Sequence, residues 1–290
     1  MTAQRASLIL VNRPSAAADE HVQDAPALRS VDPSTPVLSV LDLGATRGDG
    51  IFETLSVGDG APQALEHHLR RFARSAELLD LPAPDLDVWR EAIAAAIAEL
   101  TPVRSAWVKI VMTRGVEGEG RPTGWVYAAA SGDFTAARRD GIRVVLLDRG
   151  YRHDVEHTSP WLLAGAKTLS YAVNRSVLRE AARRGADDVI FVSSDGYVLY
   201  RVNGTLVRPG LGLGILAGTT LGSIVALAGD LGIPFEYRLD RPDDLADADA
   251  LWLVSSVRHA APVREVDGRS MPIDAEFTTI VNDHLDALEA

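Results

Sequence analysis

Residues 161–171 read WLLAGAKTLSY, and the lysine at position 167 in this apolar run decides how the chain is read. Burial disfavours an ammonium, so the pKa of a lysine in such surroundings falls. A desolvated lysine is a good amine nucleophile toward carbonyl carbon. The competing reading is a lysine whose stem packs while its head reaches water. Composition sharpens the choice. Lys109 and Lys167 are the only lysines, while Lys and Arg together number 29. Arginine cannot give up its proton and act as an amine; lysine can. GC-rich coding also favours arginine, and Lys109, in a strand-like apolar run, is given no catalytic role.

The 290 residues suffice for one large domain or two modest ones, and a hydrophobic fraction of 47% allows a packed core. No apolar run is long enough to span a bilayer, and the N-terminal MTAQRASLILVN lacks a signal-peptide pattern. A cytoplasmic protein is expected. The chain has no cysteine, which removes thiol nucleophiles, disulfides and thiolate metal sites. The net charge of -11 comes without a basic block, so neither nucleic acid nor membrane is an expected partner.

Working outward, Leu8–Val11 reads as a buried strand and residues 12–36 as a loop or insert. A Gly-rich bend feeds the β-type run Ile51–Val57. Leu65, Leu69, Phe72, Ala76 and Leu79 follow helical spacing. Asp87 is placed to cap a helix over Val88–Leu100. Strands are expected at Ala106–Met112 and Trp125–Ala130. The small polar stretch 131–141 reads as a linker, with domains over 1–130 and 142–290, the N-terminal one smaller. Beyond it the pattern predicts strands at Ile142–Leu147, Asp188–Val192 and Ala250–Val254. It predicts helices at Tyr171–Arg184 and Thr219–Asp230, and a terminal helix capped by Asp274. The class is α/β or α+β.

Two stretches suit an anion. In RPGLGLGILAGTTLGSIVALA a Gly-rich turn enters a helix whose first turn offers Thr219 and Thr220. Free N–H groups and hydroxyls at a helix start can seat a phosphate; an ordinary Gly-rich loop capped by threonine is the equal alternative. The spacing Gly212-x-Gly214 and then Gly218 is one residue too long for a dinucleotide fingerprint, which leaves a nucleotide oxidoreductase a distant third reading. In ALEHHLRRFARSAELL, His68-x-x-Arg71 offers a guanidinium fork for a phosphate, with Arg70 and Arg74 as competitors. His153-Asp-Val-Glu156-His157 matches a metalloprotease string but lies in a loop-like stretch, and no metal site is assigned.

Together these pieces resemble the fold-type IV, or class IV, pyridoxal-phosphate (PLP) enzymes. The matching strings in family order are RGDGIFET, EHHLRRFARSAELLDLP, VKIVMTRG, AKTLSYAVN, RGADDVIFVSSDGYV, GILAGTT and LWLVSS...APVREVDG. The resemblance implies two α/β domains like those of D-amino acid aminotransferase, usually as a homodimer. It implies that Lys167 forms the Schiff base, that Arg71 grips the cofactor phosphate, and that Thr219, Thr220 and Ser256 seat it. It implies that Arg114, in the Thr-Arg-Gly turn, corresponds to a residue near the substrate carboxylate in some members. Phe52 stands where D-amino acid aminotransferases place a tyrosine, which points away from that subgroup.

One departure stands out. After DVIFVSSDGYV the family continues with Glu-Gly, and that glutamate pairs with the pyridine nitrogen. Here the chain runs VLYRVNGTLVRPG, and the glutamate segment is missing after Leu199. The expected reaction is conversion of 4-amino-4-deoxychorismate to 4-aminobenzoate and pyruvate, a step of folate synthesis. The alternatives are a class IV aminotransferase acting on a small branched-chain or D-amino acid substrate, and a non-catalytic homologue.

Overall fold

The computed structural model describes residues 6–16, 26–100, 103–198, 206–208 and 218–288. The chain divides into two compact units. One is Met1–Gly132 with Ala166–Tyr171 and Leu288–Ala290; the other is Asp133–Gly165 with Ala172–Ala287.

The first unit contains β1 (Ala6–Val11), β2 (Leu28–Val31), α1 (Leu43–Arg47), β3 (Gly50–Gly58), β4 (Ala61–Pro62), α2 (Leu65–Leu78), α3 (Leu86–Ala98), β5 (Ser105–Thr113) and β6 (Thr123–Ala130). Its antiparallel sheet runs β2-β1-β6-β5-β3-β4. Alternation along β3 and β5 sorts their side chains between the two faces. Ile51, Glu53 and Leu55 share a face with Val108, Ile110 and Met112, and α2 packs there through Leu69, Phe72 and Ala76. Phe52 and Thr54 share the other face with Lys109 and Val111. Trp89 on α3 is fully buried, meets Phe72 edge-on at 5.0 Å and donates its indole N–H to the Pro14 carbonyl at 2.8 Å. A buried indole thus has both its apolar contact and its hydrogen bond.

The second unit contains α4 (Thr135–Asp140), β7 (Ile142–Asp148), α5 (Val155–Thr158), α6 (Ala172–Arg183), β8 (Asp188–Val192), β9 (Leu206–Arg208), α7 (Thr219–Asp230), β10 (Phe235–Tyr237), β11 (Trp252–Ser255), β12 (His259–Val266), β13 (Arg269–Ser270) and α8 (Ala275–Asp286). Its main sheet runs β11-β12-β7-β8, with β13 beside β12. β7 lies parallel to both β12 and β8, while β11 and β12 are antiparallel. The crossover from β7 to β8 carries α6, as a parallel pair requires. Ile142, Val144, Ile190, Leu251 and Val263 form the core of this unit. Mixed α/β architecture with two main sheets, and a small parallel pair of β9 and β10, is the fold class of the chain.

Several sequence expectations need correction. Asp85, not Asp87, caps α3: its Oδ1 accepts from the N–H groups of Asp87 and Val88 at 3.2 and 3.3 Å. Asp87 instead sits in the first turn and pairs with Arg90. Residues 131–141, read as a linker, also hold α4, too short to show an apolar stripe, and the division between the units falls among them, after Gly132. Residues 12–36 contain β2, whose four residues LRSV gain strand form by pairing with β1. The stretch around His153 contains the one-turn helix α5, and the His153 ring pairs with Asp195 at 2.6 Å. The Gly-rich turn 209–217 lies outside the described residues.

Candidate active site

Lys167 is positioned by backbone pairing. Its carbonyl accepts from Phe52 N–H at 3.0 Å, Leu169 N–H donates to the Gly50 carbonyl at 2.8 Å, and Ile51 bridges Thr168 in antiparallel sense. The segment Ala166–Tyr171 therefore lies along the edge of β3, although the chain on either side of it belongs to the other unit. Antiparallel register puts Lys167 opposite Phe52, so the two side chains share a face. Its Nζ lies 4.3 Å from the centre of the Phe52 ring, and Tyr171 closes on that ring edge-on at 5.4 Å. On α2, Ser75 Oγ accepts from Lys167 N–H at 3.1 Å. Burial pushes the amine down to about 8; Glu53 opposes that fall, and Arg71 and Lys109 add to it. The Lys109 amine lies 5.9 Å from the same Phe52 ring.

A charged cluster supports the lysine. Glu53 is 0% exposed, and it accepts from Arg71 Nε and Nη2, both at 2.6 Å, in a two-pronged pair. His68 Nδ1 meets Glu53 Oε2 at 2.8 Å. Burial alone would raise the Glu53 carboxyl, but hydrogen bonds from Arg71 and His68 hold it below the ordinary carboxylate range. Burial also lowers His68, which keeps its ring neutral and makes Nδ1–H a donor to Glu53.

The second unit gathers three of the anticipated hydroxyls. α7 begins at Thr219 after Gly218, with no side-chain cap. Ser256, in the turn between β11 and β12, has its Oγ 3.5 Å from Thr219 Oγ1 and 3.4 Å from Thr220 Oγ1. A helix start leaves N–H groups without intrahelical acceptors and favours anions, so this group of hydroxyls has the chemistry of a phosphate seat.

Residues 50–266 match the family described as amino-transferase class IV. The chain belongs to this family. It is 43% identical over 260 residues to a bifunctional aminodeoxychorismate lyase / D-amino acid transaminase of Mycobacterium tuberculosis, covering 83% of this chain and 90% of that protein. A fold IV-transaminase structure from Curtobacterium pusillum is 52% identical, with a TM-score of 0.92 and 98% of each chain covered. A PLP-bound aminotransferase structure from Mycobacterium tuberculosis is 39% identical, with a TM-score of 0.87, covering 97% of this chain and 98% of that one.

This class IV protein is therefore an enzyme with PLP as its cofactor, and the non-catalytic reading falls away. Its residues fit the group. A lysine amine of lowered pKa meets a carbonyl, and an arginine and a hydroxyl-lined helix start meet a phosphate. The expected glutamate partner of the ring nitrogen finds no substitute in the sequence nearby: no Asp or Glu occurs between Asp195 and Asp230. Residues 199–205 lie outside the described residues. Asp195 itself accepts from the His153 backbone and ring N–H groups.

Arg114 has a structural post where the resemblance implied a place near the substrate carboxylate. Its guanidinium forks onto Asp49 at 2.7 and 3.2 Å and also donates to the carbonyls of Leu79 and Asp80. It ties the bend before β3 to the end of α2. Sequence reasoning missed Glu53, whose signal was a carboxylate at a core-facing position of an alternating strand. It named His68, three residues before Arg71 on the same helix face, but not its pairing with Glu53.

Proposed function

We propose that this enzyme acts as a lyase on 4-amino-4-deoxychorismate, releasing 4-aminobenzoate and pyruvate, and that the same lysine serves a transaminase reaction. The observation that carries the proposal is the 43% identity, over most of both chains, to a protein named for both activities. The second reading, transamination alone on a D- or branched-chain amino acid, draws on the 52% identity to a fold IV-transaminase.

PLP, when bound, supplies an electron sink for a carbanion at the carbon that bears the substrate amino group. The protein supplies the rest. Lys167 Nζ, deprotonated in a useful fraction near neutrality, takes a proton from carbon and returns it. Arg71 in the first unit, and Thr219, Thr220 and Ser256 in the second, each have the chemistry to take a phosphate oxygen, and a held phosphate fixes the orientation of the reacting carbon. Phe52 and Tyr171 form an apolar wall beside the amine and limit its access to water.

The test begins with purified protein and PLP, followed by borohydride and peptide mapping. A pyridoxyl adduct is expected on Lys167 and not on Lys109. 4-Amino-4-deoxychorismate should then yield 4-aminobenzoate, and D-alanine with 2-oxoglutarate should yield pyruvate. Pyruvate from D-alanine without 4-aminobenzoate would remove the lyase half. An unlabelled Lys167 would remove the mechanism.

We also infer that the enzyme works as a homodimer in the cytoplasm. Val37, Leu38, Val40 and Leu41 form an exposed apolar stretch, with Val40 at 84% exposure, and such stretches mark contact surfaces. No helix among the described residues is long and apolar enough to cross a membrane. Light scattering is expected to give twice the 31.1 kDa chain mass; a monomer at micromolar concentration would count against the dimer.

A further inference from the structure

Lys167 is tied on both sides of its Cα, by two different kinds of partner. Its carbonyl accepts from Phe52 N–H at 3.0 Å, and two residues on Leu169 N–H donates to the Gly50 carbonyl at 2.8 Å. An antiparallel ladder would continue by sending Lys167 N–H back to Phe52. That N–H instead leaves the ladder and donates to Ser75 Oγ at 3.1 Å, 92 positions away in the chain. Ser75 lies in the last turn of α2, 1% exposed, on the face that carries the buried Phe72 and Ala76. A buried hydroxyl is costly without a hydrogen bond, and alanine is the better helix former. Packing alone therefore gives no reason for a serine at this position. Both residues belong to the first unit.

We propose that Ser75 is a positioning residue: by holding the Lys167 N–H it sets the direction in which the lysine side chain leaves the strand, toward the Phe52 ring. The inference rests on the reading of Lys167 as the cofactor lysine. Each residue has two soft backbone dihedrals, because the peptide planes on either side of it are rigid. Fixing both planes fixes φ and ψ, and with them the Cα–Cβ direction. Phe52 holds the plane that follows Lys167, and Ser75 holds the plane that precedes it. The amine sits at the end of a flexible four-carbon stem, so a small turn at Cα becomes a larger displacement at Nζ. That atom lies 4.3 Å from the centre of the Phe52 ring. A misplacement of about 1 Å at a reacting group can cost about 10²-fold in rate.

The test needs no turnover. PLP is added to the apoprotein, the imine is trapped with borohydride at timed intervals, and the Lys167 peptide is mapped by mass. In Ser75→Ala the Lys167 adduct should form about 10- to 100-fold more slowly. Circular dichroism should stay native, because alanine suits a buried helical position. Trace acetylation of Lys109, on β5, is the internal reference and should not change. Hydrogen exchange at the Lys167 amide, read in the apoprotein, should quicken once its acceptor is gone. Ser75→Thr keeps the hydroxyl and should restore both the adduct rate and the slow exchange. Where the added methyl of threonine unfolds the protein, Ser75→Cys serves in its place. Sulfur is a weak acceptor, so that variant should fall between serine and alanine.

A role in packing alone predicts something else: a shifted melting temperature in Ser75→Ala with the adduct rate unmoved. That result overturns the proposal, as does native amide exchange at Lys167 in the folded alanine variant. The two failures are separable. A native protein that yields no pyridoxyl adduct on Lys167 overturns the cofactor reading and the positioning role with it. A native adduct on Lys167 that forms equally fast in Ser75→Ala overturns the positioning role alone.

Discussion

Lys167→Ala is expected to lower turnover by roughly 10²–10⁴-fold, the range found when a positioned acid–base group is removed. Lys167→Arg should do no better, because a guanidinium keeps its proton at any working pH. Neither variant should disturb the fold. The sheet contacts at this position are made by the backbone: the Lys167 carbonyl to Phe52 and its N–H to Ser75. Circular dichroism and melting curves check that separation. The alanine variant also changes how apoprotein stability depends on pH. Burial holds the folded-state pKa of Lys167 at about 8, below the ordinary lysine value of 10.5. The unfolded chain therefore binds more protons between those values, and this residue makes stability rise as pH climbs from about 8 to 10.5. Below about 8 the folded protein carries the full cost. Lys167→Ala removes the cost, so its stability advantage should be greatest at neutral pH and should shrink as the solution becomes alkaline. An equal difference at pH 7 and pH 10 would contradict the buried amine.

Arg71→Met is expected to damage the protein twice. It removes the arginine proposed to grip the cofactor phosphate, and it leaves Glu53 charged in a fully buried site. Removing one partner of a buried pair costs about 3–5 kcal/mol, which should appear as a lower urea midpoint at pH 7. The direction with pH follows from the carboxyl. In the native chain the folded Glu53 pKa lies below its unfolded value. Its contribution is present above the unfolded carboxyl pKa, about 4.3, and is lost as pH falls through the folded one. Without Arg71 the desolvation that opposes the native shift dominates, and the carboxyl is neutralised at higher pH. The gap between variant and native should therefore narrow between pH 7 and pH 4.5. A constant gap would mean that Glu53 is not the group left stranded. Cofactor affinity, measured from the fraction of protein holding PLP after dialysis, should fall in the same variant.

Several candidate site residues stood out in the sequence alone. Lys167 stood out because an apolar run rarely admits a lysine and because this chain uses almost none. Arg71, Thr219 and Thr220 were candidates for an anion on local chemistry alone, and Ser256 emerged only when the resemblance ordered several weak strings. Glu53 was not legible, because a single residue in RGDGIFET does not reveal that α2 will bring His68 and Arg71 against it. Nor did the sequence show that Asp49 and the end of α2, distant in sequence, meet the Arg114 guanidinium.

The sequence by itself determined the alternation that makes β3 and β5, the helical stripe of α2, the two-lysine composition and the family. These depend on local periodicity and residue chemistry, which are written along the chain. Only the tertiary structure decided that six residues, Ala166–Tyr171, leave their neighbours to line the edge of β3, and that Glu53 is the carboxylate behind the arginine. Backbone pairing and ion pairing between distant residues depend on which surfaces the fold brings together, and no local pattern carries that information.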